Sequence, residues 1–157
     1  MRIGITGHQR LKDPSRWEWV GGEIAQILAR TPKPLIGVTS LAIGADQLFA
    51  DIVLQQHGTL EAIIPFEGYE LIFAEGRDRR EYQRLLDRAS RVEILHRTGS
   101  AEHAYFGAGK RVVDLADLLV AVWDGKPAAG LGGTADVVAY AQQQGKAVLH
   151  LDPTAMS

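Results

Sequence analysis

The chain has 157 residues, 46% apolar and 23% charged, an ordinary globular balance with enough length to bury a core in one domain, 1–157. Lys and Arg (17) against Asp and Glu (19) leave a formal charge of −2, which argues against nucleic acid as a partner, because such binders are as a rule basic overall or on one face. The absence of cysteine excludes disulfides, thiolate nucleophiles and cysteine-ligated metal; with no leader-like start and no apolar run near about 18 residues, a cytoplasmic protein without membrane contact is expected.

Short apolar runs alternate with segments of helical period. Ile3–Thr6 reads as a first strand, followed by a helix with Val20, Ile24, Ile27 and Leu28 on one face and a start at Asp13-Pro14. Leu35–Thr39 is a second strand, and the next helix carries Ala45, Leu48, Phe49, Ile52 and Val53, ending at His57-Gly58. Leu60–Pro65 is a third strand, and Tyr82, Leu85, Leu86 and Ala89 form a third helical stripe. Val92–Leu95 is a fourth strand, with a helix following within 103–116. Leu118–Trp123 is continuously apolar, as in a strand buried on both faces. A helix over Thr134–Gln144 and a strand over Ala147–Leu151 complete the chain. The alternation predicts a three-layer, Rossmann-like α/β domain: a mostly parallel sheet of about six strands with helices on both faces.

In such a sheet, ligands bind beyond the carboxyl ends of the strands, near the point where strand order reverses. The residues there are Gly4–Arg10 after the first strand, Thr39–Asp46 after the second, and Trp123-Asp124-Gly125 followed by Gly130–Asp136 after the fifth. All three corners are rich in glycine and hydroxyl groups, and two run straight into a helix. Glycine permits close backbone approach to a phosphate, and helix-start amides favour an anion. The standard fingerprints are absent: Gly4-x-x-Gly7 replaces the dinucleotide pattern, and Gly109-Lys110 lacks the remaining P-loop letters.

Arg77, Arg80, Arg84, Arg88 and Arg91 centre opposite the apolar face of their helix and read as a solvated stripe, with Arg77 and Arg80 nearest to the ligand edge. Of the five histidines only His8 follows a phosphate-type turn, and no spacing suggests a metal cage. Trp123 is placed either to stack on a base or to pack. Asp46, Asp124 and Asp136 lie on the ligand edge. Carboxylates beside phosphate need ribose hydroxyls, magnesium or backbone amides as partners. Asp46 and Asp136 sit in helix first turns, where the dipole favours them; Asp124 has no such role and is the first acid to test.

The strings Gly4-Ile-Thr-Gly-His-Gln-Arg10, Gly44-Ala-Asp46, Trp123-Asp-Gly125 and Gly130-Leu-Gly-Gly-Thr134 resemble the SLOG superfamily of Smf/DprA DNA-processing and LOG "lysine decarboxylase-like" proteins, most of all its YpsA-like subgroup. The resemblance spans nearly the whole chain and implies a Rossmann-like domain that binds a nucleotide or nucleotide-derived ligand at the Gly-Gly-Thr helix start. Enzymes of the LOG type, which hydrolyse the N-glycosidic bond of a nucleoside monophosphate, carry a glutamate three residues beyond that threonine and an upstream Arg-Lys pair. Here Val137 stands in the first place, with Asp136 beside it, while Ala108-Gly109 stand in the second and Lys110-Arg111 is displaced.

The expected function is therefore nucleotide binding as a sensor or carrier, with an N-glycosidic hydrolase as the alternative; the protein is expected to be a homo-oligomer. The expected ligand-binding residues are Gly7, His8, Arg10, Ser40, Gly44, Asp46, Asp124, Gly130, Gly132, Gly133 and Thr134. Candidate catalytic residues are Asp124, Asp136 and His8. No metal site or resident cofactor is implied beyond a nucleotide-like ligand, with which Mg2+ is compatible.

Overall fold

The computed structural model describes residues 1–127, 131 and 133–155. Six strands form one sheet: β1 (Arg2–Gly7), β2 (Ile36–Thr39), β3 (Thr59–Ile64), β4 (Arg91–Ile94), β5 (Leu118–Val122) and β6 (Ala147–Leu151). Every pairing is parallel, in the order β4-β3-β2-β1-β5-β6. The connections are α1 (Arg16–Ala29), α2 (Ala45–Gln55), α3 (Arg77–Asp87), α4 (Ala101–Leu115) and α5 (Thr134–Gln143).

The chain builds outward from β1 through β2, β3 and β4, then crosses back to lay β5 on the other side of β1. Right-handed crossovers in opposite directions put helices on opposite faces. The apolar stripes of α1, α2 and α3 (Val20, Ile24, Leu28, Phe49, Val53, Tyr82, Leu85) pack with Ile3, Ile5, Ala62 and Ile64 in one core. Those of α4 and α5 (Ala108, Val112, Val137, Ala141) pack with Val38, Ile63 and Leu119 in a second. Adjacent residues of β3 thus enter opposite cores, as the pleat requires. In β5, Leu119, Val120, Ala121 and Val122 are all fully buried, which accounts for its unbroken apolar run.

The elements differ from the sequence expectations mainly at their ends. Helix α1 starts at Arg16 rather than Asp13, because the Asp13 carboxylate first closes a turn, accepting the Ser15 N–H (3.1 Å) and Oγ–H (2.6 Å). A short 3₁₀ turn, Tyr69–Ile72, follows β3 without counterpart in the sequence reading. Four residues are too few to show helical periodicity.

Gly44, the N-cap of α2, has φ +89°, and a Cβ there would lie 2.5 Å from the Gln9 carbonyl oxygen and 2.6 Å from the His8 carbonyl oxygen. The backbone after β1 thus lies directly on the start of α2. Gly44→Ala should destabilise the protein by about 2 kcal/mol or more, since main-chain atoms must move and the left-handed backbone is strained. Gly22→Ala, in α1 with no neighbour within 4 Å of the new Cβ, should stabilise it by about 0.5–1 kcal/mol. Urea unfolding of the two variants checks both signs.

Candidate functional site

A cleft of about 760 Å³ lies at the carboxyl edge, where strand order reverses between β1 and β5, a size suited to a small ligand. The corners of the sequence reading converge on it. Gly7 ends β1 and His8 follows it; Ser40 and Ala42 lie between β2 and α2, and Asp46 is in the first turn of α2; Trp123, Asp124 and Lys126 follow β5; Gly133 and Thr134 open α5. Tyr69 and Tyr105, part of an aromatic cluster with Phe66, Phe73 and Tyr82, add an apolar wall. These tyrosines were missed because they are recruited from a loop and from α4 by packing that no local spacing records.

His8 joins three corners. Its N–H donates to the Val122 carbonyl (3.1 Å), its carbonyl accepts the Ala45 N–H (3.1 Å), and its Nε2 accepts the Asp124 N–H (3.1 Å). Nε2 also lies 3.4 Å from Asp124 Oδ1. The shorter contact to a backbone donor, which has no alternative role, assigns Nε2 as an unprotonated acceptor and puts the ring proton on Nδ1. The nitrogen beside Asp124 is therefore spent on holding the turn after β5. Asp124 Oδ1 accepts the Lys126 N–H (3.0 Å), and that bond, with the nearby Lys126 ammonium, holds its carboxyl below the usual carboxylate range. Trp123 completes the turn by donating its indole N–H to the Lys126 carbonyl (2.8 Å) and packing its ring 5.1 Å from His150.

The two helix starts at the cleft differ. At the corner before α2 the amides are taken: the loop N–H groups of Ser40 and Ala42 donate to Asp46 Oδ2 (3.3 and 3.5 Å), and the helix-opening Ala45 N–H donates to the His8 carbonyl. The protein's own carboxyl sits where an anion would sit. At α5 the N-cap is Gly133, which supplies no side-chain cap, and Thr134 stands beside it with its hydroxyl. The Asp136 N–H turns back onto the Gly133 carbonyl (3.1 Å), which leaves Thr134 and Ala135 as the helix-opening amides beyond the reach of the intrahelical ladder, so this start is the better anion donor.

Other expected residues stand apart from the cleft. Arg10 is exposed and lines an adjoining groove, while Gly44 shapes the backbone rather than the cleft wall. Asp136 is half-buried in the first turn of α5, where the wall is made by Thr134, Ala135 and Val137. Gly130 and Gly132 lie outside the described residues. Arg77, Arg80, Arg84, Arg88 and Arg91 are exposed, and Arg84 pairs with Asp51 (3.0 Å) and Glu81 (2.8 Å). The displaced basic pair is used elsewhere: Arg111 bonds Glu93 (2.8 Å), and the Lys110 ammonium sits 4.8 Å from the centre of the Phe106 ring. Ala108 and Gly109 line the cleft instead. Among the described residues no group of three acidic or histidine side chains is placed to hold a metal ion, and no helix is long and apolar enough to cross a membrane.

No family model matches the sequence, and no curated protein matches it significantly. Solved structures match its fold. DNA processing protein A from Helicobacter pylori, which binds single-stranded DNA in a unique mode, aligns with TM-score 0.68 and 16% identity over 97% of this chain and 65% of its own. DNA processing protein A from Streptococcus pneumoniae gives 0.69 and 15% over 96% and 50%. The structural-genomics target TM1055 gives 0.60 and 19% over 94% and 71%. The chain thus spans between half and two thirds of the two DNA processing proteins, and what it shares with them is the fold. That fold is the one implied by the SLOG resemblance.

The expectation that nucleic acid is not a partner is overturned by these neighbours, since a protein of this fold binds single-stranded DNA. The reasoning failed because net charge is an average. The −2 total coexists with Arg10, Lys12 and Lys126 gathered beside the cleft, and only local cations meet a phosphate chain.

Asp46 is the buried carboxyl of the cleft. Burial pushes it up to about 7, against the opposing amides of Ala42 and Ser40 and the Thr39 hydroxyl. Between about pH 4 and 7 the folded chain keeps a proton that the unfolded chain releases, so this group lowers stability as pH rises through that window and adds no further dependence above it. Urea unfolding from pH 4.5 to 8 should show wild type losing stability relative to Asp46→Asn as pH rises, by a few kcal/mol at most, with the two curves parallel above pH 7.5.

Proposed function

We propose that the chain binds a nucleotide or nucleotide-derived phosphate ligand in the cleft between β1, β5 and α5. The observation that carries this reading is the convergence of the uncapped α5 start, Thr134 and the His8–Asp124 corner on one cleft of about 760 Å³. The phosphate is received by the Thr134 and Ala135 amides at the start of α5 and by the Thr134 hydroxyl, where N–H groups outside the helical ladder and the helix dipole favour negative oxygen. The Tyr69–Tyr105 wall and the accessible side of Trp123 take the base, whose flat apolar face suits aromatic contact.

Binding is favoured over N-glycosidic hydrolysis by the groups in hand. Hydrolysis needs a positioned acid or base free to move a proton, whereas His8 Nε2 holds a backbone amide, Asp124 is held ionised by the Lys126 N–H, and Asp46, though pushed up to about 7, is buried with its oxygen engaged by the Ser40 and Ala42 amides. A second reading, single-stranded DNA as the source of the nucleotide unit, is favoured by the fold shared with the H. pylori protein. Fluorescence anisotropy with a labelled oligonucleotide at low salt separates the two.

Thermal shift with nucleoside monophosphates should raise the melting temperature by a few degrees at millimolar ligand, more than the matching nucleosides or orthophosphate do. Thr134→Val should weaken the nucleotide by roughly tenfold or more, about the value of one hydroxyl bond to a charged oxygen. Stabilisation by no nucleotide, or stabilisation indifferent to Thr134, contradicts the reading.

A further inference from the structure

A groove of about 480 Å³ adjoins the cleft and shares His8, Asp124 and Lys126 with it. Its walls are the loop between β1 and α1, carrying Arg10 and Lys12, and the segment after β6. Arg16 fixes the second wall to the first: its Nε donates to the Pro153 carbonyl (2.9 Å), its guanidinium reaches the Ala155 carbonyl (2.7 Å), and its face lies 4.7 Å from the Trp19 ring centre.

The charges in this groove are unbalanced in a specific way. Its two acids are committed to local turns: Asp13 accepts Ser15, which holds its carboxyl low, and Asp124 accepts the Lys126 N–H. Arg10, Lys12 and Lys126 form no ion pair with any described residue. Four cations, Arg10, Lys12, Arg16 and Lys126, thus line one concave space against two carboxylates, Asp13 and Asp124, and this net positive groove lies beside a cleft read as holding a phosphate.

We infer that the groove is a second anion subsite and that the ligand carries at least two phosphate groups, one at the α5 start and the next held by Arg10, Lys12 and Lys126. This deepens the nucleotide reading and rests on it for the first phosphate. Arg10 contributes a planar fork able to grip two oxygens, and the two lysines contribute mobile point charges. The shared chemistry is a second phosphate on a nucleoside, whether from a 5′-diphosphate or from a two-nucleotide phosphodiester.

Titration calorimetry with AMP, ADP, the 5′-phosphorylated dinucleotide pApA and inorganic pyrophosphate tests the inference. Wild type should bind ADP or pApA at least about tenfold more tightly than AMP, and that gain should shrink as salt rises, because the cations are solvent-exposed. Lys12→Gln should cut the gain about threefold while leaving AMP affinity unchanged, and Arg10→Gln with Lys12→Gln should remove it. A gain with ADP alone or with pApA alone identifies the source, and either supports the subsite. Pyrophosphate binding that is lost in the double variant while no nucleotide binds keeps the groove and overturns the nucleotide reading. Equal affinity for AMP, ADP and pApA with no pyrophosphate binding, or a gain that survives the double variant, overturns the groove.

Discussion

The geometry of the carboxyl edge depends on His8 serving three corners at once. Its main chain ties the end of β1 to β5 through Val122 and to the start of α2 through Ala45, and its ring accepts the amide of Asp124. Two glycines make this possible. Gly7 lets the strand end lie against Ala45 and Val122, where a Cβ would come within 2.7 and 2.8 Å of their Cβ atoms. Gly44 lets the next loop lie on α2. The site is therefore held by backbone hydrogen bonds between neighbouring elements, and its side chains are set before any ligand arrives.

The same knot makes the glycine-rich corners unequal. The corner before α2 turns its amides inward, onto the Asp46 carboxyl and the His8 carbonyl, and closes itself. The corner before α5 begins with a glycine and offers no side chain to its own amides. An incoming anion therefore meets one open helix start rather than three equivalent cradles, and the Asp46 carboxyl, deprived of water in the closed one, is pushed up to about 7 in spite of the amides it accepts.

The fold was legible because a parallel sheet writes itself locally: each strand is a short apolar run and each helix an apolar stripe, and both patterns survive without knowledge of the partners. The β5 run and the stripe of α2 are clear instances. The cleft lining was legible as far as it lies at strand ends, where Gly7, His8, Ser40, Asp46, Asp124, Gly133 and Thr134 come together around it. What escaped depends on contacts distant in sequence. Tyr105 reaches the cleft from α4, Arg10 turns to the adjoining groove, and Asp136 sits off the cleft wall by one helical step. The partner expectation failed for a related reason, because summing charge over the chain erases the cations that two separate loops bring together.

The central claim is that an anionic nucleotide group seats at the start of α5 against the end of β1. Backbone amide NMR during an AMP titration tests it residue by residue. Saturable shifts should concentrate at Gly7, His8, Asp124, Thr134 and Ala135, with the Thr134 and Ala135 amides moving downfield as they donate to phosphate. Shifts that are absent, or that centre on the exposed arginines of α3 and leave Thr134 and Ala135 unmoved, would contradict the account.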